Sequence, residues 1–299
     1  MKKIYAFLII ALLTLVLAAC GANSSNGSEE EETANDNEPS ESKSVIDEIK
    51  ERGVLRVAVF SDKPPFGYVD ANGENQGYDI ALAKRIAKDL LGDESKIEYV
   101  ITEPQARVDL LKSDKVDIVL ANFTVTKERA EQVDFVLPYM KVAIGVVSPK
   151  SAPISSVDDL KGKKLIVPKG TTAETFFMKN HPDVELVKFD QINEAFEALK
   201  DGRGDALAQD NALLFSWANE NPDFTVALPT LGDLDYIAPA VKKGNTELLE
   251  WLNAEIEKLY EEKFFTNAYE ETLKSAFGDT ISAEEVVVES KPDNYLIFK

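Results

Sequence analysis

One stretch of the chain sets its architecture, and it occurs twice, as LKSDKVDIVLAN at residues 111–122 and as LKDGRGDALAQD at residues 199–210. In each copy a helix end, a polar turn and a short apolar strand precede a polar side chain, Asn122 in the first copy and Asp210 in the second. Coincidence among α/β units, which share this order of elements, is the alternative to a true repeat. A true repeat would place Asn122 and Asp210 at equivalent strand ends of two similar lobes. Because open α/β sheets bind ligands at the carboxyl ends of parallel strands, two such ends facing each other would form a cleft.

Short apolar strands alternate with amphipathic helices on both sides of these copies, from about residue 45 onward. Helices are predicted over residues 79–91, with Asp79 as the N-cap, and over residues 211–219. This alternation predicts an α/β fold, with parallel sheets covered by helices on both faces. The composition is 44% hydrophobic, which is enough for a substantial core and for two domains. The strand signals lie at residues 55–60, 97–101, 118–121, 143–147, 165–167, 184–187 and 206–208.

The N-terminus has the pattern of a secretory signal. Lys2 and Lys3 precede an apolar run, residues 4–19, that stops at Cys20, the single cysteine of the chain. The run is shorter than the roughly 20 residues of a spanning helix, so we predict a signal peptide at residues 1–19. The tetrapeptide that ends at Cys20 is similar to the lipobox of bacterial lipoproteins, which predicts cleavage before Cys20 and lipid attachment there. A signal anchor, or an ordinary signal with an incidental cysteine, is the alternative.

Composition also limits the classes of function. Residues 20–44 are rich in Ser, Asn and Glu, cannot bury enough apolar surface to offset their ordering entropy, and are predicted to form a disordered acidic tether. The net charge of −20 argues against nucleic acid as a partner. The chain has one histidine, His181, and one cysteine, which is predicted to be acylated. It therefore lacks the side chains for a His/Cys zinc site and for Ser-His or Cys-His catalysis. We therefore expect a protein without metal or cofactor that is not an enzyme.

Residues 122–129 lie between a buried strand and a helix, where free backbone N–H groups and the helix dipole favour an anion. Arg129 adds a planar guanidinium group whose N–H donors suit a carboxylate. The alternative makes Thr126 a plain N-cap and Arg129 a solvated residue of the first turn.

Residues 168–175 form a second strand-to-helix junction. Gly170 lets the backbone turn closely, and Thr171 with Glu174 fits a capping box. A capping box alone would explain why Thr171 and Glu174 occur at this junction. The functional hypothesis is that hydroxyls and amides of Thr171 and Thr172 also face the cleft.

Other candidates are single side chains with two interpretations each. Asp210 is placed to pair with an ammonium group, or to cap the helix that follows it. Phe60 and Phe66 flank a loop after the first strand and would either wall an apolar side of the site or belong to the core. Arg107 is either a ligand-binding residue of the site or a solvated cation, as an arginine on a helix usually is.

The chain from about Val45 to Glu289 resembles the polar amino acid solute-binding proteins of ABC importers, the family 3 extracellular solute-binding proteins. The resemblance implies a two-lobed periplasmic-binding-protein fold of type II, in which two crossover hinge strands join lobes that are each a mostly parallel sheet flanked by helices. It assigns residues 45–140 and 233–290 to the first lobe, residues 141–232 to the second, and leaves residues 291–299 as a tail. The segments that carry it are residues 63–68, 77–81, 122–124 with Arg129, 134–139, 169–173 and 204–206 with Asp210.

The resemblance also implies roles for the candidates. Arg129 and Thr124 would hold the α-carboxylate of an amino acid with help from the amide of Thr172, while Asp210 and the Asn122 carbonyl would take the α-ammonium group. Closure would occur at hinges near residues 139–142 and 228–235.

Within the family, cysteine or cystine binders look most similar, because they share the run at residues 121–124 and the position of Arg107. Phe123, in that run, is a further predicted ligand-binding residue. Aspartate or glutamate binding is the first alternative, and an extracytoplasmic dehydratase on the same scaffold is the second. The partners implied are an amino acid ligand and ABC permease subunits. The protein would be a monomer outside the cytoplasm, held to the cell membrane by its N-terminal lipid.

Overall fold

The computed structural model describes residues 44–293 and residue 295. The predicted signal peptide, Cys20 and all of the predicted tether except Ser44 lie outside the described residues. Ser44 is not part of a disordered segment, because its hydroxyl accepts from the Asp47 N–H and caps the first helix. Within the part of the chain that is described, no helix is both long and apolar enough to span a membrane.

The strands and helices of the described residues follow the alternation that the sequence predicts. The strands are β1 (Leu55–Val59), β2 (Asp62–Lys63), β3 (Gly67–Val69), β4 (Asn75–Gln76), β5 (Ile97–Ile101), β6 (Ile118–Val119), β7 (Val133–Phe135), β8 (Met140–Pro149), β9 (Lys164–Pro168), β10 (Glu185–Phe189), β11 (Ala206–Asp210), β12 (Phe224–Ile237) and β13 (Ala240–Lys242). The helices are α1 (Val45–Arg52), α2 (Tyr78–Leu91), α3 (Arg107–Lys112), α4 (Lys127–Ala130), α5 (Thr172–Asn180), α6 (Ile192–Lys200), α7 (Asn211–Glu220), α8 (Thr246–Glu261), α9 (Phe264–Thr272), α10 (Lys274–Phe277) and α11 (Ala283–Val286).

Two five-stranded sheets organise these elements. In the first sheet, of order β5-β1-β6-β13-β7, only β13 runs against its neighbours. In the second sheet, of order β10-β9-β11-β8-β12, only β8 does so. The prediction of two mostly parallel sheets flanked by helices is confirmed. We call the first sheet, the small β2-β3-β4 sheet and their helices the first lobe, and the second sheet with its helices the second lobe.

Strands β8 and β12 form the connection between the lobes. They pair with each other in antiparallel register where they leave the first lobe, with Val142 opposite Asp235 and Met140 opposite Ile237. The predicted lobe boundary after residue 140 falls at the start of β8, and the one after residue 232 falls inside β12. Both boundaries, and closure by hinge motion at these strands, stay predictions.

Helix α2 differs from its prediction at its N-terminus. It begins at Tyr78 with Gly77 as the N-cap residue, so the prediction that Asp79 caps it is wrong. The Asp79 carboxylate is buried instead, and it accepts from the Asn122 N–H at 2.8 Å and from the Tyr139 hydroxyl at 2.7 Å. The hydrogen bonds from Asn122 and Tyr139 hold this side chain inward, and both partners lie far from Asp79 in the sequence.

Candidate functional site

The ends of β6 and β11 lie close together across the two lobes. Asn122, just beyond β6, and Asp210, at the end of β11, are both buried and both contact the ammonium group of Lys63. The Nζ atom of Lys63 is 2.5 Å from Asn122 Oδ1 and 2.9 Å from Asp210 Oδ2. The two copies of the repeated stretch therefore meet at one place, as their pattern predicts.

A cavity of about 10 Å³ lies between the lobes at this place. Eight of the ten predicted ligand-binding residues line it, from both lobes. Phe66 and Phe123 lie behind its wall as buried rings, with Lys63 Nζ 5.8 Å from the centre of the Phe66 ring. The lining residues are Phe60, Lys63, Pro104, Arg107, Asn122, Thr124, Arg129, Thr171, Thr172, Ile192, Gln209 and Asp210.

Arg129 reaches the cavity from the first turn of α4. Thr126 is the N-cap of this helix and accepts from the Arg129 N–H at 3.2 Å, so the capping alternative describes Thr126 correctly. It is wrong for Arg129, whose guanidinium points inward and donates to the Thr124 carbonyl at 2.6 Å and the Gly170 carbonyl at 2.8 Å. Burial lowers its pKa to about 10. The group is still a cation at neutral pH.

Arg107 is a second inward-facing cation, so the expectation of a solvated side chain is wrong. Its Nη1 donates to the Ala121 carbonyl at 2.9 Å and the Asn122 carbonyl at 3.1 Å, and its guanidinium lies 4.4 Å from the centre of the Phe123 ring. Burial lowers the pKa of Arg107, but a guanidinium does not lose its proton in proteins. The carbonyl that the resemblance gives to a ligand ammonium, that of Asn122, is thus engaged by Arg107 in this state.

The loop between β9 and α5 carries part of the second lobe's contribution. The Thr171 hydroxyl caps α5, accepting from the Glu174 N–H at 3.2 Å, and it donates to the Pro168 carbonyl at 2.8 Å. The Glu174 carboxylate accepts from the Gly170 N–H at 2.7 Å rather than from the Thr171 N–H, which departs from the predicted capping box. The Gly170 carbonyl accepts from both arginines, so this loop joins the lobes at the cavity.

Asp210 makes no side-chain cap bond to α7, so of its two interpretations the structure excludes helix capping. Its carboxylate pairs with Lys63, and the side chains of the two residues are 7% and 3% exposed. The sequence did not single out Lys63, because a lysine in a loop beside two prolines is typically solvated. The signal that could have found it is its position between Phe60 and Phe66, whose rings wall its ammonium group.

Two amide groups at the cavity have donors without acceptors. The Oδ1 atom of Asn122 faces Lys63, which leaves Nδ2 without a partner. The Oε1 atom of Gln209 accepts from the Asp210 N–H at 3.0 Å, which leaves Nε2 without a partner. The sequence does not predict Gln209 as a site residue, because a glutamine in a short apolar strand carries no local sign of function.

Further contacts between the lobes close the rim of the cavity. The Asp62 carboxylate accepts from the N–H of Ile192, at the start of α6, at 2.9 Å. On the same side the Gln105 amide donates to the Asp190 carboxylate at 2.8 Å. The state described is therefore closed, with the charged groups of one lobe against polar groups of the other.

This arrangement can hold a small molecule that carries both charges. Arg129 presents a cation from the first lobe and Asp210 an anion from the second, and both line one cavity. Among the described residues, no cluster of three or more His, Cys, Asp or Glu side chains is placed to hold a metal ion.

Comparison with known proteins agrees with this geometry. The model of the bacterial extracellular solute-binding proteins, family 3, matches residues 55–275. A glutamine-binding protein of an ABC transporter from Bacillus subtilis is 34% identical over 277 residues, which make up 92% of this chain and 98% of that protein.

Two solved structures are more similar in sequence. The cysteine-binding protein from Campylobacter jejuni is 57% identical, with a TM-score of 0.82 over 83% of this chain and 100% of that chain. The solute receptor for L-cysteine of Neisseria gonorrhoeae is also 57% identical, with a TM-score of 0.80 over 81% of this chain and 99% of that chain.

Proposed function

Since this chain belongs to family 3 of the bacterial extracellular solute-binding proteins, we propose that it captures cysteine for an ABC importer. Membership makes it an amino-acid-binding component of such an importer. The narrower proposal, cysteine, is supported by the two cysteine-binding structures at 57% identity, against 34% for the glutamine-binding relative.

The observation that carries the proposal is the placement of opposite charges in one small cavity. Arg129 would take the α-carboxylate of the ligand together with Thr124 and the amide of Thr172, and Asp210 would take the α-ammonium group. Because one charge comes from each lobe, a ligand that satisfies both would hold the lobes together.

Aspartate or glutamate is the alternative ligand class, and a specific observation favours it. The cavity holds more cations than anions, since Lys63 and Arg107 line it as well as Arg129. A negatively charged side chain on the ligand would offset that excess of positive charge. Tighter binding of aspartate or glutamate than of cysteine would support this alternative.

An enzymatic role on this scaffold has less support. A dehydratase needs a general acid in the cleft. Asp210 is the acidic side chain among the cavity-lining residues, and it is paired with Lys63. We propose binding without chemical change, and a ligand recovered with altered mass after long incubation would contradict this.

Lipid attachment at Cys20, a monomeric state and docking to permease subunits belong to the same proposal. Metabolic labelling with a radioactive fatty acid tests the first of these. A Cys20→Ala variant should lose the label and leave the membrane fraction.

The central test is native mass spectrometry of the protein as purified, followed by calorimetry with cysteine, cystine, aspartate, glutamate and glutamine. We expect the copurifying mass to be that of cysteine, and cysteine to bind most tightly. Arg129→Ala should weaken binding at least about 30-fold, because removal of one partner from a desolvated charge pair costs roughly 2–5 kcal/mol. Unchanged affinity in Arg129→Ala would refute the site, and tighter binding of aspartate would refute the ligand.

A further inference from the structure

The walls of the cavity are not balanced in charge. Three cations line it, Lys63, Arg107 and Arg129, against the single carboxylate of Asp210. Asp79 lies behind Asn122, and burial raises its pKa to about 7. A zwitterion adds no net charge and leaves the cationic excess as it is.

The polar atoms at the cavity that lack hydrogen-bond partners also favour a ligand with additional acceptor groups. Hydrogen-bond partners fix the orientation of both amides, because Asn122 Oδ1 faces an ammonium group and Gln209 Oε1 faces a backbone N–H. The atoms left without partners, Asn122 Nδ2 and Gln209 Nε2, are both donors. A buried donor without an acceptor is costly, and a ligand with an acceptor beyond its α-carboxylate would satisfy these donors.

Lys63 adds a constraint on the ligand ammonium group. In the described state Lys63 occupies the carboxylate of Asp210 at 2.9 Å. A ligand ammonium that pairs with Asp210 arrives beside this buried lysine, and two cations in a desolvated site repel each other. A second negative group on the ligand would remove the conflict.

We propose that the protein binds cysteine with its thiol deprotonated, so that the ligand is an anion and Lys63 is its counter-cation. This inference rests on the proposed function and names a specificity residue, Lys63, that discriminates cysteine from serine and alanine. The S–H bond of the thiol breaks, its electron pair stays on sulfur, and its proton passes to the buffer. No oxidant or reductant takes part.

The groups whose protonation bears on this exchange come from several elements. Lys63 and Asp210 meet at the cavity, and Arg107 and Arg129 face it from the first lobe. The remaining groups are Asp79 with Tyr139 behind Asn122, and Asp235 on β12, whose pKa burial raises to about 6. Any of these that changed protonation would do so for every amino acid ligand, whereas a thiolate forms only with cysteine.

Calorimetry at pH 7 in buffers of different ionisation enthalpy counts the protons released. Only a few per cent of a free thiol is ionised at this pH, so the proposal expects about one proton released per cysteine bound. Serine, which has the same charges and no acidic side chain, should release none. Proton release with both ligands would place the source in the protein and overturn the proposal.

The ultraviolet difference spectrum tests the same point without serine. Thiolates have an absorption band that thiols lack, and it should appear when the wild-type protein is mixed with cysteine at pH 7. Binding of cysteine without this band and without proton release overturns the proposal and leaves the proposed function intact. Failure of cysteine to bind at all overturns the proposed function itself.

Variants of Lys63 test whether this residue stabilises the bound thiolate. Lys63→Met should weaken cysteine binding at least about tenfold and cut the thiolate band by more than half, and Lys63→Arg should restore the band. The matched control is Lys200→Met, which removes an exposed lysine of α6 and should change neither quantity. An unchanged band in folded Lys63→Met would overturn the assignment.

Discussion

The end of β6 and the end of β11 are built by the same sequence pattern and bring different chemistry to the cavity. Where each strand begins, their geometry is the same. Asp117 Oδ2 accepts from the Arg56 N–H at 2.8 Å in the first lobe, and Asp205 Oδ2 accepts from the Lys164 N–H at 2.7 Å in the second. In both lobes the donor lies on the neighbouring parallel strand.

At the other end of each strand the two copies diverge. Asn122 has a left-handed backbone with φ of 44°, and its lobe supplies Lys63, Arg107 and Arg129 to the cavity. Asp210 has an ordinary φ of −53°, and its lobe supplies the carboxylate. The shared pattern sets the course of the backbone, while single side chains at the strand ends set the charge, so a ligand with both charges needs both lobes.

The largest effect should come from removing the anion of the second lobe. Asp210→Asn keeps the shape of the side chain but cannot pair with an ammonium group, and it leaves Lys63 buried without its counter-ion. We expect cysteine binding to weaken at least about 30-fold, since the loss corresponds to roughly 2–5 kcal/mol. Calorimetry measures it. Asp205→Asn, at the exposed start of the same strand, should stay within about twofold, and equal losses in the two variants would mean that the effect is structural.

The next largest effect concerns the buried carboxylate of Asp79, which accepts from the Asn122 N–H just beyond β6. Burial raises the pKa of Asp79 from 3.8 to about 7. Between those values the folded state binds more protons than the unfolded state, so the free energy of unfolding falls as the pH rises, by about 1.4 kcal/mol per pH unit. Asp79→Asn should remove the part of this decline that Asp79 causes, a difference of about 4 kcal/mol across the window.

Urea unfolding between pH 4 and pH 8 measures the effect of Asp79→Asn. Asp235 and Glu255, whose pKa values burial raises to about 6 and about 7, should leave a further decline of the same sign in Asp79→Asn. Asp93→Asn, at an exposed carboxylate, is the control and should keep the full decline. A wild-type protein whose stability rises from pH 4 to pH 7 would contradict the buried, protonated state of Asp79.

The same contrast explains how much of the site the sequence predicts. Strand ends follow from hydrophobic periodicity, so the sequence alone places Asn122 and Asp210, and it places Arg129 through its position in a strand-to-helix junction. Lys63, Gln209 and Asp79 depend on which way a side chain turns once distant elements pack. That direction is fixed by contacts between residues far apart in sequence, such as the pair of Lys63 with Asp210. The local pattern gives at most the two rings that flank Lys63, and it does not identify the partner.

A moderate effect should follow from pushing the lobes apart at Gly170. Its φ is 72°, and a Cβ atom there would lie 2.5 Å from Gln105 Cα of the first lobe. Gly170→Ala therefore opposes closure, and we expect about a tenfold loss of cysteine affinity in calorimetry. Gly202→Ala has the same backbone strain, with φ of 70°, and nothing within 4 Å of the added atom. It should lower stability but leave affinity unchanged, and equal affinity losses would show that strain, not closure, is the cause.

The smallest effect distinguishes the backbones of the two strand ends. A left-handed residue with a Cβ atom costs about 1–2 kcal/mol, which asparagine tolerates better than alanine and glycine avoids. Asn122→Gly should therefore be more stable than Asn122→Ala by about 1 kcal/mol in urea unfolding. At Asp210 the order should reverse, with Ala above Gly by about 0.5–1 kcal/mol, because its φ is ordinary and glycine only adds freedom to the unfolded chain. The same order at both sites would mean that the two strand ends share one backbone conformation and that their difference lies in the side chains alone.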